Sequence, residues 1–270
     1  MDVPPILEWA YRSNGICTLR RFPPHTIGIT LYGVTPESYQ KVCGDGNAYF
    51  KVMQGIQDLM CLPSKIELRT TIIQDNLSEA KKIEKFIKSL GERVTFNINQ
   101  TVFQSCRNSI ANASVCRLTP KQNAQFYCKR YRDMAEDYLE NHENCTEFKL
   151  DENKTKRTSD LSEECKKSNG IYGCDAGWQE YTITWNGRML PCTLMGNPYT
   201  SPFKEGFQEA WKRLEYIMEK PELPEKCRQC SVKQFCGACP ASRHCETGNM
   251  NGIPQYFCQL AEEYYKLCCS

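Results

Sequence analysis

The sequence has no apolar run long enough to cross a membrane and no strong excess of charge. Its 270 residues include 34 Lys and Arg against 32 Asp and Glu, which gives a formal net charge of +2. A transmembrane helix needs about 18 or more consecutive apolar residues, and a balanced charge creates no field that recruits nucleic acid or anionic lipid. We therefore expect neither nucleic acid nor a membrane among the partners.

Histidine is scarce, and the familiar motifs of phosphate binding and nucleophilic catalysis are missing. The three histidines, His25, His142 and His244, have no partner at a ligand spacing. Neither a zinc hydrolase nor a histidine-based catalyst is therefore indicated. The sequence also has no Gly-rich phosphate loop and no nucleophile elbow, the motifs that carry those two chemistries.

Cysteine, by contrast, is abundant, with 18 in the chain. The informative stretch runs from residue 174 to residue 258, as Cys-x12-Gly-x4-Cys, a gap, Cys-x2-Cys-x5-Cys-x2-Cys, a second gap and a final Cys. Five residues between two cysteine pairs is short for a zinc finger. Dense Cys-x2-Cys runs followed by one distant cysteine are typical of iron–sulfur proteins, so this spacing predicts an iron–sulfur framework.

The same cysteines allow two other interpretations. A secreted, disulfide-bonded glycoprotein would be rich in cysteine and sequons, and Asn-x-Ser/Thr sequons begin at Asn76, Asn99, Asn112, Asn144 and Asn153. A zinc site is the second alternative. Against secretion, the N-terminal stretch is too acidic and too short in apolar run for a signal peptide. We expect a cytoplasmic protein whose thiolates hold metal.

The segment before Cys192 predicts a β-hairpin. Apolar and polar residues alternate over 179–185, and Asn186-Gly187 is a strong two-residue turn signal because both positions tolerate a positive φ. The return strand over 188–192 brings Cys192 back beside the first strand. The glycine of the spacing pattern therefore has a backbone role.

The order and spacing of these cysteines resemble the SPASM domain of radical SAM enzymes, which mature peptides, sulfatases and related substrates. In that family the domain holds two auxiliary [4Fe-4S] clusters. The resemblance implies one cluster on Cys227, Cys230, Cys236 and Cys258, and another on Cys174, Cys192, Cys239 and, most simply, Cys165. The family more often has three residues where this chain has only Gly237 and Ala238, so Cys245 is the alternative to Cys239.

The first hundred residues predict three strands with helices between them. The strands cover 26–32, 65–73 and 93–98, and the helices follow Thr35-Pro36 and Asn76. An apolar stripe of Phe50, Met53, Ile56 and Leu59 is expected to face the core. Strands joined in this way form a parallel β-α-β-α-β unit, which periodicity alone allows in either a doubly wound sheet or a barrel.

A resemblance decides between these two folds. The segments Pro-Pro-x-x-Ile-x-Ile-Thr-Leu-Tyr-Gly at 23–33 and x-Thr-Pro-Glu-Ser-Tyr-x-x-Val-x-Gly at 34–44 are similar to the fourth to sixth strands of the radical SAM partial barrel. The implied fold class is α/β, a partial (β/α) barrel fragment followed by a small cysteine-rich α+β SPASM-like domain with a β-hairpin. By this resemblance Thr30, Asn76 and, more weakly, Arg69 contact S-adenosylmethionine (SAM). The alternative is that Thr30 is a plain strand residue and Asn76 a helix cap.

Three parts of the chain are expected. Residues 1–105 form the partial barrel, 106–164 a helix and polar linker, and 165–270 the iron–sulfur domain. The linker helix, over 119–140, is expected to turn Phe126 or Tyr127, Tyr131, Met134 or Ala135, and Tyr138 inward, and another helix covers 203–218.

The Cys-x3-Cys-x2-Cys motif on which radical SAM enzymes hold their reactive cluster does not occur in this sequence. The resemblance then implies the C-terminal, auxiliary-cluster portion of an enzyme that modifies a peptide or protein, with two [4Fe-4S] clusters for electron transfer. This chain alone is expected not to cleave SAM, which would bind only if the missing N-terminal part were supplied, on this or a separate chain. The alternative is a non-catalytic iron–sulfur or zinc module that binds a peptide or a partner subunit.

Overall fold

The computed structural model describes residues 13–99, 101–103, 115–141 and 176–269. The chain divides into two compact units. The first holds the elements up to residue 102 together with 115–118, and the second holds residue 103 and the elements from residue 119 onward. The predicted division at residues 105 and 164 stays a prediction.

The first unit is built on a three-stranded parallel sheet in the order β1-β2-β3. This confirms the expected mixed α/β class with a parallel sheet. In chain order its elements are α1 (Ser13–Arg21), β1 (Thr26–Thr30), α2 (Pro36–Cys43), α3 (Ala48–Met60), β2 (Lys65–Thr71), a 3₁₀ turn (Leu77–Glu79), α4 (Ala80–Ser89) and β3 (Val94–Asn99).

Local signals explain where α2 begins and how it is tied to the chain. Thr35 is the N-cap, with its Oγ1 accepting the N–H of Ser38 at 3.2 Å, and Pro36 occupies the first turn. The Glu79 carboxylate accepts the Val34 N–H at 3.2 Å and the Thr35 hydroxyl at 3.1 Å. Burial opposes its ionisation, but these hydrogen bonds prevail and lower the pKa of Glu79. The β1–α2 turn is thereby fastened to the start of α4.

The core of the first unit lies between one face of the sheet and the helices. On β1 and β2 the residues Ile27, Ile29, Ile66 and Leu68 are buried, as are Ile83 and Ile87 of α4. The predicted stripe on α3 is wrong at one position, because Phe50 is 60% exposed. The buried face is instead Ala48, Val52, Ile56 and Leu59, a register that follows the helical repeat more closely.

The second unit combines helices with one short antiparallel strand pair. Its elements are α5 (Pro120–Asn141), β4 (Thr182–Ile183), β5 (Met189–Leu190), α6 (Pro202–Glu205), α7 (Phe207–Glu219), α8 (Glu225–Arg228), a 3₁₀ turn (Lys233–Phe235), α9 (Pro240–Thr247) and α10 (Gln255–Cys269). Among the helices in the described ranges, none combines the length and apolar character needed to span a bilayer.

Helices α5 and α10 pack together around a small core of Ala124, Tyr256, Phe257 and Leu260. The buried Asn123 amide donates to the Tyr256 hydroxyl at 3.1 Å. Of the inward residues predicted on α5, Tyr127 is buried, whereas Tyr131 and Met134 are exposed. The side chains of Ala135 and Tyr138 lie outside the described part. The stripe fails beyond Tyr127 because the inward face of α5 in the structure is Asn123, Ala124 and Tyr127.

A pair of thiols also joins these two helices. Burial raises the pKa of Cys128 on α5 to about 11, and a side-chain hydrogen bond with Cys268 on α10 contributes to the shift. Nearby, the Arg132 guanidinium donates to the Leu267 carbonyl at 3.2 Å.

The helix predicted over 203–218 is interrupted at Gly206 in the structure. The φ of 86° and ψ of 148° at this residue are open essentially to glycine alone.

Candidate functional site

Three of the predicted ligands lie on a chain of tight turns. The N–H of Cys230 donates to the Cys227 carbonyl at 3.3 Å, that of Lys233 to Cys230 at 3.3 Å, and that of Cys236 to Lys233 at 3.0 Å. Each bond closes a turn of three residues. The spacing Cys-x2-Cys-x5-Cys is one of three and six residues, so each of the three cysteines stands at an end of one of these turns.

The fourth predicted ligand, Cys258, comes from the first turns of α10. Its N–H donates to the Pro254 carbonyl at 3.2 Å. The preceding residue, Phe257, is buried in the α5–α10 core, and Cys236 packs against that same core. One hydrophobic cluster therefore fixes both the distant cysteine and the last cysteine of the turn series.

The four thiols are close enough to influence one another electrostatically. Burial raises the pKa of Cys236, and the charges of Cys227 and Cys230 raise it further, while Arg243 acts in the opposite direction. Burial likewise raises the pKa of Cys258, with added contributions from Cys236, Cys227 and Cys230. Four partly buried thiolates that repel one another are stabilised when they bind a cationic metal centre.

The donor chemistry of these residues fits an iron–sulfur cluster, because four thiolates per cluster is the usual ligand set. That these four cysteines hold one centre stays a proposal. Within the described ranges, no three His, Cys, Asp or Glu side chains form a group arranged to hold a single metal ion.

A buried arginine lies beside this group. Arg243, on α9, is 2% exposed and donates through Nη1 to the Cys227 sulfur at 3.6 Å and to the Gly252 carbonyl at 2.7 Å. Burial raises the pKa of Cys236, and the charge of Arg243 offsets part of that rise. The sequence analysis missed Arg243. A charged residue on the short helix that follows Cys239 was the available signal.

The second predicted ligand group is only partly described. Cys165 and Cys174 lie outside the described residues. The Cys192 sulfur accepts the Leu194 N–H at 3.5 Å, and the Cys245 thiol donates to the carbonyl of the same leucine at 3.0 Å. Cys245, the alternative to Cys239, is therefore adjacent to the Cys192 loop.

Cys239 itself caps α9. Its sulfur accepts the Ser242 N–H at 3.4 Å, while the Ser242 hydroxyl oxygen accepts the Cys239 N–H at 2.8 Å, which forms a capping box. Both candidates for the eighth ligand are thus carried by α9, and the assignment of Cys239 stays a proposal.

Gly187 holds the turn that precedes Cys192. Strands β4 and β5 pair antiparallel, and the Gly187 N–H donates to the Thr184 carbonyl at 2.9 Å. The φ of Gly187 is 78°, and a Cβ at this position would lie 3.0 Å from the Phe203 ring. Both the left-handed backbone and the close aromatic ring require a glycine here.

The first unit carries a polar patch on the other face of its sheet. Thr30 and Arg69 are register partners, as are Arg69 and Asn97, and all three are exposed. The Arg69 guanidinium pairs with the Glu67 carboxylate at 2.6 Å, which lowers the pKa of Glu67, and the Asn97 amide donates to that carboxylate at 3.3 Å. A Cβ at Gly28 would lie 3.6 Å from the Arg69 guanidinium, so the head group packs over this glycine.

A polar exposed face is unusual for a parallel sheet, since such sheets are normally covered on both sides. The structure therefore brings Thr30 and Arg69 together, as two of the three predicted SAM contacts. Glu67 and Asn97 complete the patch and were missed, although their alternation with buried residues along β2 and half-buried residues along β3 was the available signal.

Asn76, the third predicted SAM contact, does not join this patch. Its side chain is fully buried, and its amide donates to the carbonyls of Tyr32 at 3.0 Å and Thr71 at 3.1 Å while its oxygen accepts the Ile73 N–H at 2.8 Å. These bonds use the side chain to tie the ends of β1 and β2 together. It makes no side-chain cap to the following turn, so its role is structural in a different way from the predicted cap.

Residues 174–231 match the SPASM family, an iron-sulfur cluster-binding domain. This match covers the hairpin, Cys192 and the first Cys-x2-Cys pair. No curated protein matches the chain in sequence.

The chain also resembles solved structures. With anSMEcpe bound to AdoMet it shares a TM-score of 0.62 and 15% identity over 96% of this chain and 71% of that one. With anSMEcpe bound to AdoMet and Kp18Cys peptide the values are 0.60 and 14% over 94% and 69%. With Streptococcus suis SuiB bound to precursor peptide SuiA they are 0.60 and 15% over 92% and 56%. At these identities the likeness establishes a shared fold.

Proposed function

We propose that this chain is the auxiliary-cluster portion of a radical SAM enzyme that modifies a peptide or protein, and that it holds two [4Fe-4S] clusters. The observation that carries the proposal is the match of residues 174–231 to the SPASM family, an iron-sulfur cluster-binding domain. The electrostatic influence of Cys227 and Cys230 on Cys236 and Cys258 supports one shared ligand group. The bound AdoMet and peptides of the neighbouring structures support the substrate class.

The cysteines are assigned to two clusters. Cys227, Cys230, Cys236 and Cys258 hold one cluster, and Cys192 with Cys165, Cys174 and Cys239 or Cys245 holds the other. When bound, such clusters supply one-electron transfer to or from a substrate. Four thiolates on the first cluster leave no open iron, so this site serves electron transfer and not direct substrate coordination.

The polar patch of the first unit is proposed to face SAM. Thr30 is the last residue of β1, and Arg69 is near the end of β2. The carboxyl ends of parallel strands are where α/β folds bind their ligands. In this role the Arg69 guanidinium, held in place by Glu67, is the cation that pairs with the SAM carboxylate. A separate chain or N-terminal segment would have to supply the Cys-x3-Cys-x2-Cys motif that the sequence lacks.

Anaerobic reconstitution with iron and sulfide tests the proposal. The brown chain is expected to hold about eight irons, the content of two cubane clusters. Replacing both Cys227 and Cys236 by Ser should reduce this to about four, because only one ligand set is broken. The matched control is Cys61→Ser, an exposed thiol of the first unit, which should keep the full iron content.

A colourless chain that binds zinc alone would contradict the proposal. Loss of iron in the Cys61 variant would also contradict it, since the ligand assignment would then be wrong. A chain with full iron content that binds a peptide but never supports SAM cleavage, even with a partner chain present, would instead favour the non-catalytic module.

A further inference from the structure

A positive charge is buried next to the four thiols of the second unit. Arg243 is 2% exposed, and burial of a guanidinium is costly unless charge and hydrogen bonds compensate it. Part of this compensation is the hydrogen bond from Arg243 to the Cys227 sulfur at 3.6 Å. Another part is the electrostatic interaction between Arg243 and Cys236. Thiolates at these positions therefore provide negative charge where the cation needs it.

The guanidinium is held in place by a loop that returns after α9. Its Nη1 donates to the Gly252 carbonyl at 2.7 Å. The loop is fixed by Thr247, whose hydroxyl donates to the Arg243 carbonyl at 2.8 Å and accepts the Asn249 N–H at 3.2 Å. A Cβ on Gly252 would lie 1.9 Å from the Thr247 hydroxyl oxygen, so a side chain here would displace Thr247 and the loop that it holds.

We propose that Arg243 is a positioning residue that donates a hydrogen bond to the cluster ligand Cys227 and sets the reduction potential of the cluster on Cys227, Cys230, Cys236 and Cys258. This inference rests on the proposed function. Hydrogen bonds to the sulfurs and nearby charge are main determinants of cluster potential. Because reduction adds one negative charge to the cluster, a fixed cation stabilises the reduced form and raises the potential.

The electron balance is simple. One electron enters the cluster from a chemical reductant such as dithionite, and no bond forms or breaks. Arg243 keeps its proton throughout, since the pKa of a guanidinium is far above the working range. The hydrogen bond to Cys227 strengthens as charge on the sulfur grows.

The test is an anaerobic redox titration of the reconstituted full chain, followed by electron paramagnetic resonance. In Arg243→Gln the midpoint of one of the two clusters should move to a more negative potential, while the other cluster stays at its wild-type value. Arg243→Lys keeps the charge and should restore most of the shift. Arg213→Gln is the matched control, because Arg213 is an exposed arginine of the same unit that pairs with Glu205.

The outcomes separate this inference from the proposed function. If the wild-type chain takes up no iron, the proposed function fails and no potential exists to shift. If Arg243→Gln holds the wild-type iron content and both midpoints are unchanged, the proposed function stands and the inference about Arg243 is wrong. An equal midpoint shift in Arg243→Lys and Arg243→Gln would also overturn the inference. The shift would then come from the loss of the guanidinium group itself and not from the loss of its positive charge.

A second variant guards against misfolding of the Arg243 variants. Gly252→Ala keeps the arginine but displaces the carbonyl that orients it. The midpoint of the same cluster should shift in the same direction as in Arg243→Gln, by a smaller amount. An unchanged midpoint in Gly252→Ala, with full iron content, would contradict the positioning role of this loop.

Discussion

The Asn76 side chain forms hydrogen bonds to the backbone and therefore has a structural role. Its three hydrogen bonds go to the backbone at the ends of β1 and β2. Replacement by Ala would leave the Ile73 N–H and two carbonyls without these partners in a buried site. Each buried polar group left without a hydrogen bond costs about 1 to 3 kcal/mol.

We therefore expect Asn76→Ala to destabilise the first unit by about 3 kcal/mol, measured as a lower urea midpoint in circular dichroism. Asn97→Ala is the control, since Asn97 is exposed on the same sheet and makes one hydrogen bond, to Glu67. Asn97→Ala should change stability by less than about 0.5 kcal/mol. Equal stability of Asn76→Ala and the wild type would contradict the structural role and return Asn76 to the candidate ligand-binding residues.

At the residue scale, the assignment of the cysteine ligands stays a prediction. Cys227, Cys230 and Cys236 could be predicted as a group from intervals alone, because consecutive turns keep them local in sequence. Arg243 could not, because its position depends on the Gly252 loop returning to α9. Glu67 was missed for a related reason, since its role depends on pairing between strands far apart in sequence.

At the element scale, the turn between β4 and β5 is the point where the SPASM spacing pattern depends on the backbone. Gly187→Ala is expected to destabilise the second unit by about 1 to 2 kcal/mol, because alanine resists a positive φ and its Cβ would press on Phe203. Urea unfolding followed by tryptophan fluorescence measures this, since Trp178, Trp185 and Trp211 lie in that unit.

Gly237→Ala serves as the control for the Gly187 variant. No heavy atom lies within 4 Å of a Cβ built at Gly237, and its φ is in the ordinary range. This variant should unfold at the wild-type urea concentration. A stable Gly187→Ala, or an equally damaging Gly237→Ala, would show that the turn does not need its glycine.

The sequence predicted which elements exist more successfully than it predicted which faces are buried. The cap at Thr35 and the alternation along β1 and β2 are local signals. The inward face of α5 is decided by where α10 packs, and the break at Gly206 by a single φ. Such features depend on tertiary contacts or on one torsion angle, which periodicity does not contain.

At the scale of the whole molecule, two compact units carry two different candidate sites. The first presents the polar patch with Thr30 and Arg69, and the second carries the thiols. The parallel sheet and the SPASM match agree with the sequence-based expectation. The barrel, the number of clusters and the cytoplasmic location stay predictions.

Incubation of the reconstituted chain with SAM and dithionite is expected to release no 5′-deoxyadenosine, because the sequence contains no Cys-x3-Cys-x2-Cys. Chromatography of the products measures this against a protein-free blank. Adding a chain that carries the motif is the matched condition in which cleavage is expected. Release of 5′-deoxyadenosine by this chain alone would contradict the assignment of an auxiliary role.

The three-residue turns from Cys227 to Cys236 also limit how this loop can change in length. A residue inserted between Cys230 and Cys236 would break the turn hydrogen bonds that join them. Length variants of this loop should therefore take up less iron on reconstitution, because the two cysteines would no longer stand at the ends of consecutive turns.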